Sequence, residues 1–576
     1  MYLLMKSLIP ILLIFCIACQ APSDTEKNNQ TPDLIIHNAS IYTATGDTTS
    51  TAIAIKGDKI LQLGSSEILG TKTTTTQLID AKGQYLMPGF IEGHGHFSGL
   101  GETLQNLNFL TDTTWAQALE KVKAKVATAQ PGEWIYGRGW HQEKWTESPQ
   151  NSVGGYPTHE TLSELSPDNP VMLVHASGHS LYANEQAMRV AGITKESPDP
   201  KGGKIIRDGN KRAIGVFEER AMTPIKTAFN DYKKNLDVEE QKKLWYKAID
   251  LAQQECLENG ITSFQDAGAK FWELDRYKQM AEDGAFDIRL WSMVRHSYDE
   301  MKDNKLTDYR QIGIGNNHFT CRAIKTEVDG ALGAHGAWLL EPYADKPDFY
   351  GQNTTDVEEV ARIASLADKH NMQLCVHAIG DRANKEVLDI IEKYNTNNQD
   401  QRWRIEHAQH LNPTDIQRFK STGAIASMQA VHCTSDAPFV VKRLGQLRAK
   451  IGAYAWKALL NTGVTIVNGT DVPVEDIDPI KNFYATVTRT RTDNGMRFFV
   501  ENKMSREQAL RSYTIDAAYG AFEEDIKGSL EAGKLADLVL LSENLMTCGD
   551  LDILGTKVLM TIVGGEVKYK SGDGLF

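Results

Sequence analysis

Leu86-Met87-Pro88-Gly89-Phe90-Ile91-Glu92-Gly93-His94-Gly95-His96 is the stretch on which the reading of this chain turns. An apolar run is closed by Pro88-Gly89, resumes, and delivers two histidines at spacing two. On a β-strand, residues i and i+2 point to the same face. His94 and His96 therefore aim both imidazoles at one point, as a metal ion requires. The glycines before and between them let the backbone crowd that point. Fifteen histidines in 576 residues make a single His-x-His pair a weak motif by itself. The alternative is two satisfied histidines at a strand end, so the reading depends on what arrives downstream.

The chain suits one large barrel-type domain or several ordinary ones, and 41% apolar residues suffice for a sizeable core. A formal net charge of −13 argues against nucleic acid and anionic membrane surfaces as partners. Cysteines at 16, 19, 256, 321, 375, 433 and 548 are scattered, which is neither a disulfide framework nor a zinc ribbon. At the N-terminus, Lys6 precedes an apolar run from Leu8 to Ile17 that is too short to span a bilayer and reads as a signal sequence over residues 1–19. Ala18-Cys19 resembles a bacterial lipobox, which implies a lipidated Cys19; an ordinary cleavage near Ala18 is the alternative. Residues 20–32 are polar and read as a tether. Either way the expectation is a bacterial cell-envelope location, lipid-anchored or periplasmic, with membrane contact only through the anchor.

Both ends of the chain are strand-rich. Leu34-Ile35-Ile36, Ile41-Tyr42-Thr43, Ala52 to Ile55 and Ile60 to Leu63 are short β runs, as are Asp537 to Leu541 and Val558 to Val563, the last joined through Gly564-Gly565 to Val567-Lys568-Tyr569. Chain ends often lie close, so residues 33–87 and 530–576 are expected to share one small β-sandwich domain. Between them, residues 88–529 alternate β with α. Strands are expected at Val171–Val174, Ile261–Phe264, Ile288–Val294, Phe319–Val328, Leu374–His377, Trp403–Glu406, Ala424–Met428 and Thr465–Val467. Such alternation means a parallel sheet and points to an α/β fold of the (β/α)8 TIM-barrel type. Residues 100–250, rich in Gly, Pro and Trp, read as an insertion over the barrel mouth, with Trp134, Trp140 and Trp145 either walling a pocket or packing a core.

Three further candidates close apolar strands, where barrel enzymes keep their chemistry. His377 ends Leu374-Cys375-Val376-His377, His407 ends Arg404-Ile405-Glu406-His407, and Asp471 follows Ile466-Val467-Asn468-Gly469-Thr470. The order His-x-His, Lys, His, His, Asp resembles the amidohydrolase superfamily, in the YtcJ-like branch of its amidohydrolase-3 group. The stretches that carry the resemblance are Met87 to His96, Gly260-Ile-Thr-Ser-Phe-Gln-Asp-Ala-Gly, Lys325-Thr-Glu-Val-Asp-Gly-Ala-Leu-Gly and Val376-His-Ala-Ile-Gly-Asp-Arg-Ala. They continue with Arg404-Ile-Glu-His-Ala-Gln, Ser427-Met-Gln-Ala-Val-His, Gly469-Thr-Asp-Val-Pro-Val and Gly528-Ser-Leu-Glu-Ala-Gly-Lys-Leu-Ala-Asp-Leu-Val. Where the family often has Ser-Arg after Asp-Gly-x-Leu-Gly, this chain has Ala334-His335.

The resemblance implies a metal-dependent hydrolase. Its metal ligands are His94, His96, Lys325, His377, His407 and Asp471, holding one or two divalent ions of the zinc type. It implies that Lys325, which otherwise reads as a lysine snorkelling to solvent, can be carboxylated and bridge two metals, with an unmodified lysine and a mononuclear site as the alternative; burial beside cations lowers a lysine's pKa and frees the amine for CO₂. Asp471 is the expected catalytic proton carrier. Softer candidates for substrate contact are His432, His179 (with His175 in the same motif), Gln265 and Asp266, the last also as a support behind a ligand. The expected reaction is hydrolysis of a carbon–nitrogen bond other than a peptide bond, in an amide, formamide, cyclic amide or deamination substrate. An ester, lactone or phosphoester hydrolase and a non-catalytic solute-binding lipoprotein are the rivals. The expected partner is a small-molecule substrate, and homo-oligomerisation stays open.

Overall fold

The computed structural model describes residues 31–572, except 47–48, 110–111, 143–144, 148, 150, 176–179, 202, 304–305, 334 and 395–399. The expected signal sequence and most of the tether lie outside the described residues, as does His179. Among the described residues no helix is long and apolar enough to cross a membrane.

Eight parallel strands form the central sheet: β1 (Phe90–Gly95), β2 (Ile261–Ala269), β3 (Arg289–Val294), β4 (Phe319–Glu327), β5 (Gln373–Ala378), β6 (Arg404–His407), β7 (Ile425–Met428) and β8 (Ile466–Asn468). They pair in chain order. Helices follow the strands, such as Phe271–Glu282 after β2, Val357–Lys369 after β4 and Asp381–Tyr394 after β5. Each presents an apolar stripe to the sheet, as Val360, Ile363, Ala364 and Ala367 do in Val357–Lys369. Closure comes just past the end of β8. Asp471 N donates to His94 O at 2.7 Å, and His96 N donates to Val472 O at 2.7 Å. A Cβ on Gly93 would stand 2.4 Å from Asn468 O, so only glycine lets β1 and β8 approach this closely. The chain is thus a (β/α)8 barrel.

The expected Val171 strand is real, as Val171–His175, but belongs to the insertion rather than the barrel. It pairs antiparallel with Ser180–Ala183, only residues 176–179 intervening. A parallel crossover needs a dozen residues or more, so so short a connection permits only an antiparallel partner. The insertion builds a six-stranded sheet in the order Gly203–Arg207, Ala213–Glu219, Ser180–Ala183, Val171–His175, Ile135–Trp140, Leu107–Asn108. Trp140 is buried in one of its cores with Trp115 and Tyr182, and Trp134 in another with Met172 and Phe217. Trp145 packs against Trp115 and Trp140. These tryptophans fill cores.

The chain ends form two sheets. One is Lys59–Gly64, Ala52–Lys56, Leu34–His37, Gln77–Asp80; the other is Ser40–Ile41, Tyr85–Pro88, Leu538–Leu541, Val558–Val563, Glu566–Lys570. Leu538–Leu541 lies antiparallel to Tyr85–Pro88, so residues far apart in sequence share one sheet. Leu34, Ile36, Ile53 and Ile55 of the first sheet bury against Leu86, Leu538, Leu540 and Ile562 of the second, which makes a composite sandwich. It is tied to the barrel by a buried ion pair. Arg289, at the start of β3, donates from Nε to Asp537 Oδ2 at 2.7 Å and from Nη2 to Asp537 Oδ1 at 3.0 Å. Gly564 N donates to the same carboxylate at 2.9 Å.

Burial alone would raise the Asp537 carboxyl, but Arg289 outweighs it and holds the group below the usual carboxylate range. Asp537→Asn leaves Arg289 buried without a counter-charge, a loss of about 3–5 kcal/mol. Because the folded-state pKa is depressed, this stability is fully present above about pH 5 and is lost as the pH falls through the depressed value. Guanidinium denaturation of wild type and Asp537→Asn should therefore differ at pH 7 and converge in acid. A gap that persists unchanged in acid contradicts the assignment.

Candidate metal centre

Alternation on β1 turns Glu92 and His94 to the barrel interior, and His96 continues the same face just beyond the strand. Glu92 is buried and spans the seam to β8. Its Oε1 accepts from Thr470 N at 2.7 Å and from His94 N at 3.2 Å, and its Oε2 from Thr470 Oγ1 at 3.0 Å. It thereby holds the backbone on which Asp471 sits. Asp471 Oδ1 lies 3.2 Å from His96 Nε2 and 3.6 Å from His94 Nε2. Its other oxygen, Oδ2, is 3.3 Å from His432 Nε2.

From the opposite wall β4 supplies Lys325, whose buried Nζ stands 3.3 Å from His94 Nε2. β5 and β6 supply His377 and His407, with ring centroids 4.5 Å apart, and the His94 and His407 rings are 4.7 Å apart. The structure thus gathers His94, His96, Lys325, His377, His407 and Asp471 at the carboxyl ends of β1, β4, β5, β6 and β8. His407 has φ +73° and Asp471 φ +61°, left-handed conformations that favour glycine. Non-glycine residues held there mark a site where geometry outweighs backbone comfort.

The imidazoles are oriented from behind. Glu406 binds His94 Nδ1 and Gln429 Oε1 takes the His407 Nδ1 proton at 2.7 Å, so each ring turns Nε2 inward. Glu406 is fixed in turn by Arg404, Nε to Oε1 at 2.7 Å and Nη2 to Oε2 at 3.1 Å; Arg404 Nη2 also reaches Gly93 O at 2.7 Å. Burial lowers His94 to about 4 and His377 and His407 well below the ordinary imidazole value. They are neutral at pH 7, the form in which an imidazole ligates. Burial opposes charge on His432 as well, but its bonds to Asp471 and Glu475 prevail and push it up to about 10. His432 lies near Asp471 and His407 as a ligand would, and its Nε2 also stands 3.3 Å from Asp471 Oδ2. Burial would raise Asp471, but His432 and His96 hold it well below the carboxylate range.

The residues fit a divalent ion. Asp471 Oδ1 and His377 Nε2 are buried without an aligned hydrogen bond, an unfavourable state unless a further group satisfies them. His94, His96 and Asp471 place ligand atoms within 4.8 Å of one another.

Other expected residues fall elsewhere. Gln265 is fully buried, its Oε1 bound by Arg404 and its Nε2 donating to Ala517 O at 2.8 Å, so both ends of the amide are engaged within the protein. Asp266 accepts from Phe97 N at 3.1 Å and Ser292 Oγ at 2.8 Å. It supports the helix start directly after His96. His175 sits in the insertion, against Trp140 and His141. His335 is 3.2 Å from Asp345, which also binds Arg443. Sequence reasoning passed over Glu406, Arg404, Gln429 and Glu92. Glu92 was within reach, because it shares the period-two face of His94.

A profile of the Amidohydrolase family matches residues 77–569, and the chain belongs to that family. Protein LONG AFTER FAR-RED 3 of Arabidopsis thaliana is 31% identical over 93% of this chain and 91% of its own length. YtcJ of Bacillus subtilis (strain 168), a protein assigned to the amidohydrolases, is 29% identical over 93% and 99%. The N-substituted formamide deformylase of Arthrobacter pascens is 26% identical over 94% and 99%. Among solved structures, a metal-dependent hydrolase from Pyrococcus furiosus superposes with a TM-score of 0.69 at 26% identity, covering 89% of this chain and all of the other. The protein is an amidohydrolase of the YtcJ-like group, with a metal-binding barrel.

Gln429→Leu removes the acceptor that fixes His407. Zinc affinity, measured by competition with a chromophoric chelator, should fall about 10- to 100-fold with an unchanged circular dichroism spectrum. Unaltered affinity would mean that the Gln429 bond does not position His407 for the metal.

Proposed function

We propose that this enzyme hydrolyses a carbon–nitrogen bond outside the peptide backbone, with formamides and small or cyclic amides as the substrate class. The observation that carries the reading is the placement of Asp471, one oxygen facing His94 and His96 and the other held by His432. The formamide deformylase relative supports the bond type.

His94, His96, His377 and His407, with Asp471, would hold the ion, zinc being the expected metal. A bound divalent ion supplies Lewis-acid polarisation of a carbonyl and brings the pKa of water to about 7. The residues of the chain do the rest. Asp471, kept ionised by His432, accepts a proton from the attacking water and passes it to the departing nitrogen. His432 keeps the carboxylate turned toward the ligands, and Glu475 steadies His432 from behind at 3.3 Å. Burial lowers the Lys325 ammonium, which supports carboxylation: the neutral amine forms an N–C bond to CO₂ and releases a proton, giving a carbamate able to bridge a second ion. At the N-terminus, the Cys19 motif supports a lipid-anchored enzyme on the envelope side.

With zinc supplied, the purified protein should cleave N-alkyl formamides or cyclic amides in preference to matched esters, lactones and phosphoesters. Asp471→Asn should keep its zinc, by elemental analysis, and lose about 100- to 10,000-fold in kcat. Efficient cleavage of esters or phosphoesters with no amide turnover, or full activity in Asp471→Asn, contradicts the reading. Metabolic labelling with palmitate should mark the wild type and not Cys19→Ser; labelling of both rejects the anchor.

A further inference from the structure

Inward positions rise in layers along the barrel strands. Trp291 and Met293 of β3 pack inside with Ala267 of β2, Ala323 of β4 and Cys375 of β5. Two residues further, the same alternation reaches Arg295 on β3; on β4 it reaches Lys325 and then Glu327. The register Met293 with Ala323 and Val294 with Ile324 sets Arg295 level with Lys325. Arg295 and Glu327 are therefore the first residues met above the buried lysine. They bind each other through Arg295 Nη2 and Glu327 Oε2 at 2.5 Å, with side chains still 39% and 38% exposed.

The Arg295 backbone is held on both sides. Its N donates to Ala269 O at 3.0 Å, and its carbonyl accepts from Lys270 Nζ at 2.9 Å. Its stem lies along Gly268, at φ +126°, where a Cβ would stand 2.7 Å from Arg295 Cδ. Glu327 occupies Nη2, and among the described residues no other side chain takes the guanidinium. Burial lowers both Lys325 and His377, and the Arg295 charge adds to the shift in each, which agrees with a position beside the metal centre.

We propose that Arg295 is the specificity-determining residue of this enzyme and that it receives a carboxylate carried by the substrate, so that preferred substrates are amides or formamides bearing an acid group. The proposal rests on the carbon–nitrogen hydrolase reading for its reaction, though not for the binding itself. A guanidinium fork matches a carboxylate in shape and charge. Glu327 preorganises the fork, and Lys325 lies too deep to serve the same group.

The test uses the zinc-loaded protein and two formamides that differ only in the acid group, N-formylphenylalanine and N-formylphenethylamine. The wild type should favour the acid by about 10- to 100-fold in kcat/KM. Arg295→Met should bring the ratio to near unity, Arg295→Lys should retain part of it, and Glu327→Gln should retain most of it. Calorimetry with 3-phenylpropanoate and 3-phenylpropanamide gives a readout free of turnover; the acid should bind more tightly to the wild type, and this advantage should vanish in Arg295→Met. If neither formamide is cleaved, formamide hydrolysis fails and the calorimetric ratio alone decides the role of Arg295. Equal losses on both formamides in Arg295→Met would reduce the Arg295–Glu327 pair to a strut, and an acid advantage that survives in Arg295→Met would assign the carboxylate to another group; either result overturns the proposal.

Discussion

The seam between β1 and β8 is the constraint on which the site depends. The backbone bonds from Asp471 to His94 and from His96 to Val472 are the closing rungs of the barrel, and they also set the Asp471 carboxylate against the histidine pair. Closing the sheet and assembling the centre are thus one event. Glu92 reinforces the seam from inside by binding the Thr470 backbone. The left-handed backbone at Asp471 costs on the order of 1–3 kcal/mol in an unsupported loop, and here flanking rungs hold it in place.

The same economy appears in the interior charges. Arg404 and Glu406 are both fully buried on β6, an arrangement that rarely raises stability above that of an apolar core. Its value lies in direction. Glu406 binds the outer nitrogen of His94 while Arg404 ties the carboxylate to the Gly93 carbonyl. The ring orientation is therefore set by a strand on the far side of the sheet, and the cost of burial is met by charge pairing and hydrogen bonds.

Much of this was legible in the sequence because it follows from strand periodicity. His94 and His96 share a face at spacing two, and His377, His407 and Asp471 each close an apolar run. The eight-strand barrel followed from β/α alternation, except that Val171–His175 was admitted to the series; apolarity does not distinguish a barrel strand from one arm of a hairpin, whereas the short connection after it does. Glu406 was not legible by alternation, which sends neighbours to opposite faces. The left-handed turn at His407 suspends that rule at the strand end and lets both side chains reach His94. Lys325 came only through family resemblance, since nothing local separates a buried lysine from a snorkelling one. Gln265 and Asp266 were read as closing their strand, whereas it runs on to Ala269 and leaves both within it; apolar patterning does not show that a polar side chain inside a strand is engaged by a neighbour such as Arg404 or the Phe97 backbone.

The mouth that results is polar across its diameter. In a barrel of eight strands β4 stands opposite β8, so Lys325 and the Arg295–Glu327 pair face Asp471, His432 and Glu475 across the opening. His94 lies between the two walls, 3.3 Å from Lys325 and 3.6 Å from Asp471. Under the proposed reading, a substrate entering this gap would meet the Asp471 carboxylate on one side and the Arg295 guanidinium on the other, so its reacting carbonyl and its remote group would be presented to different strands. Such a division lets the remote contact orient the bond that breaks without touching the atoms that react.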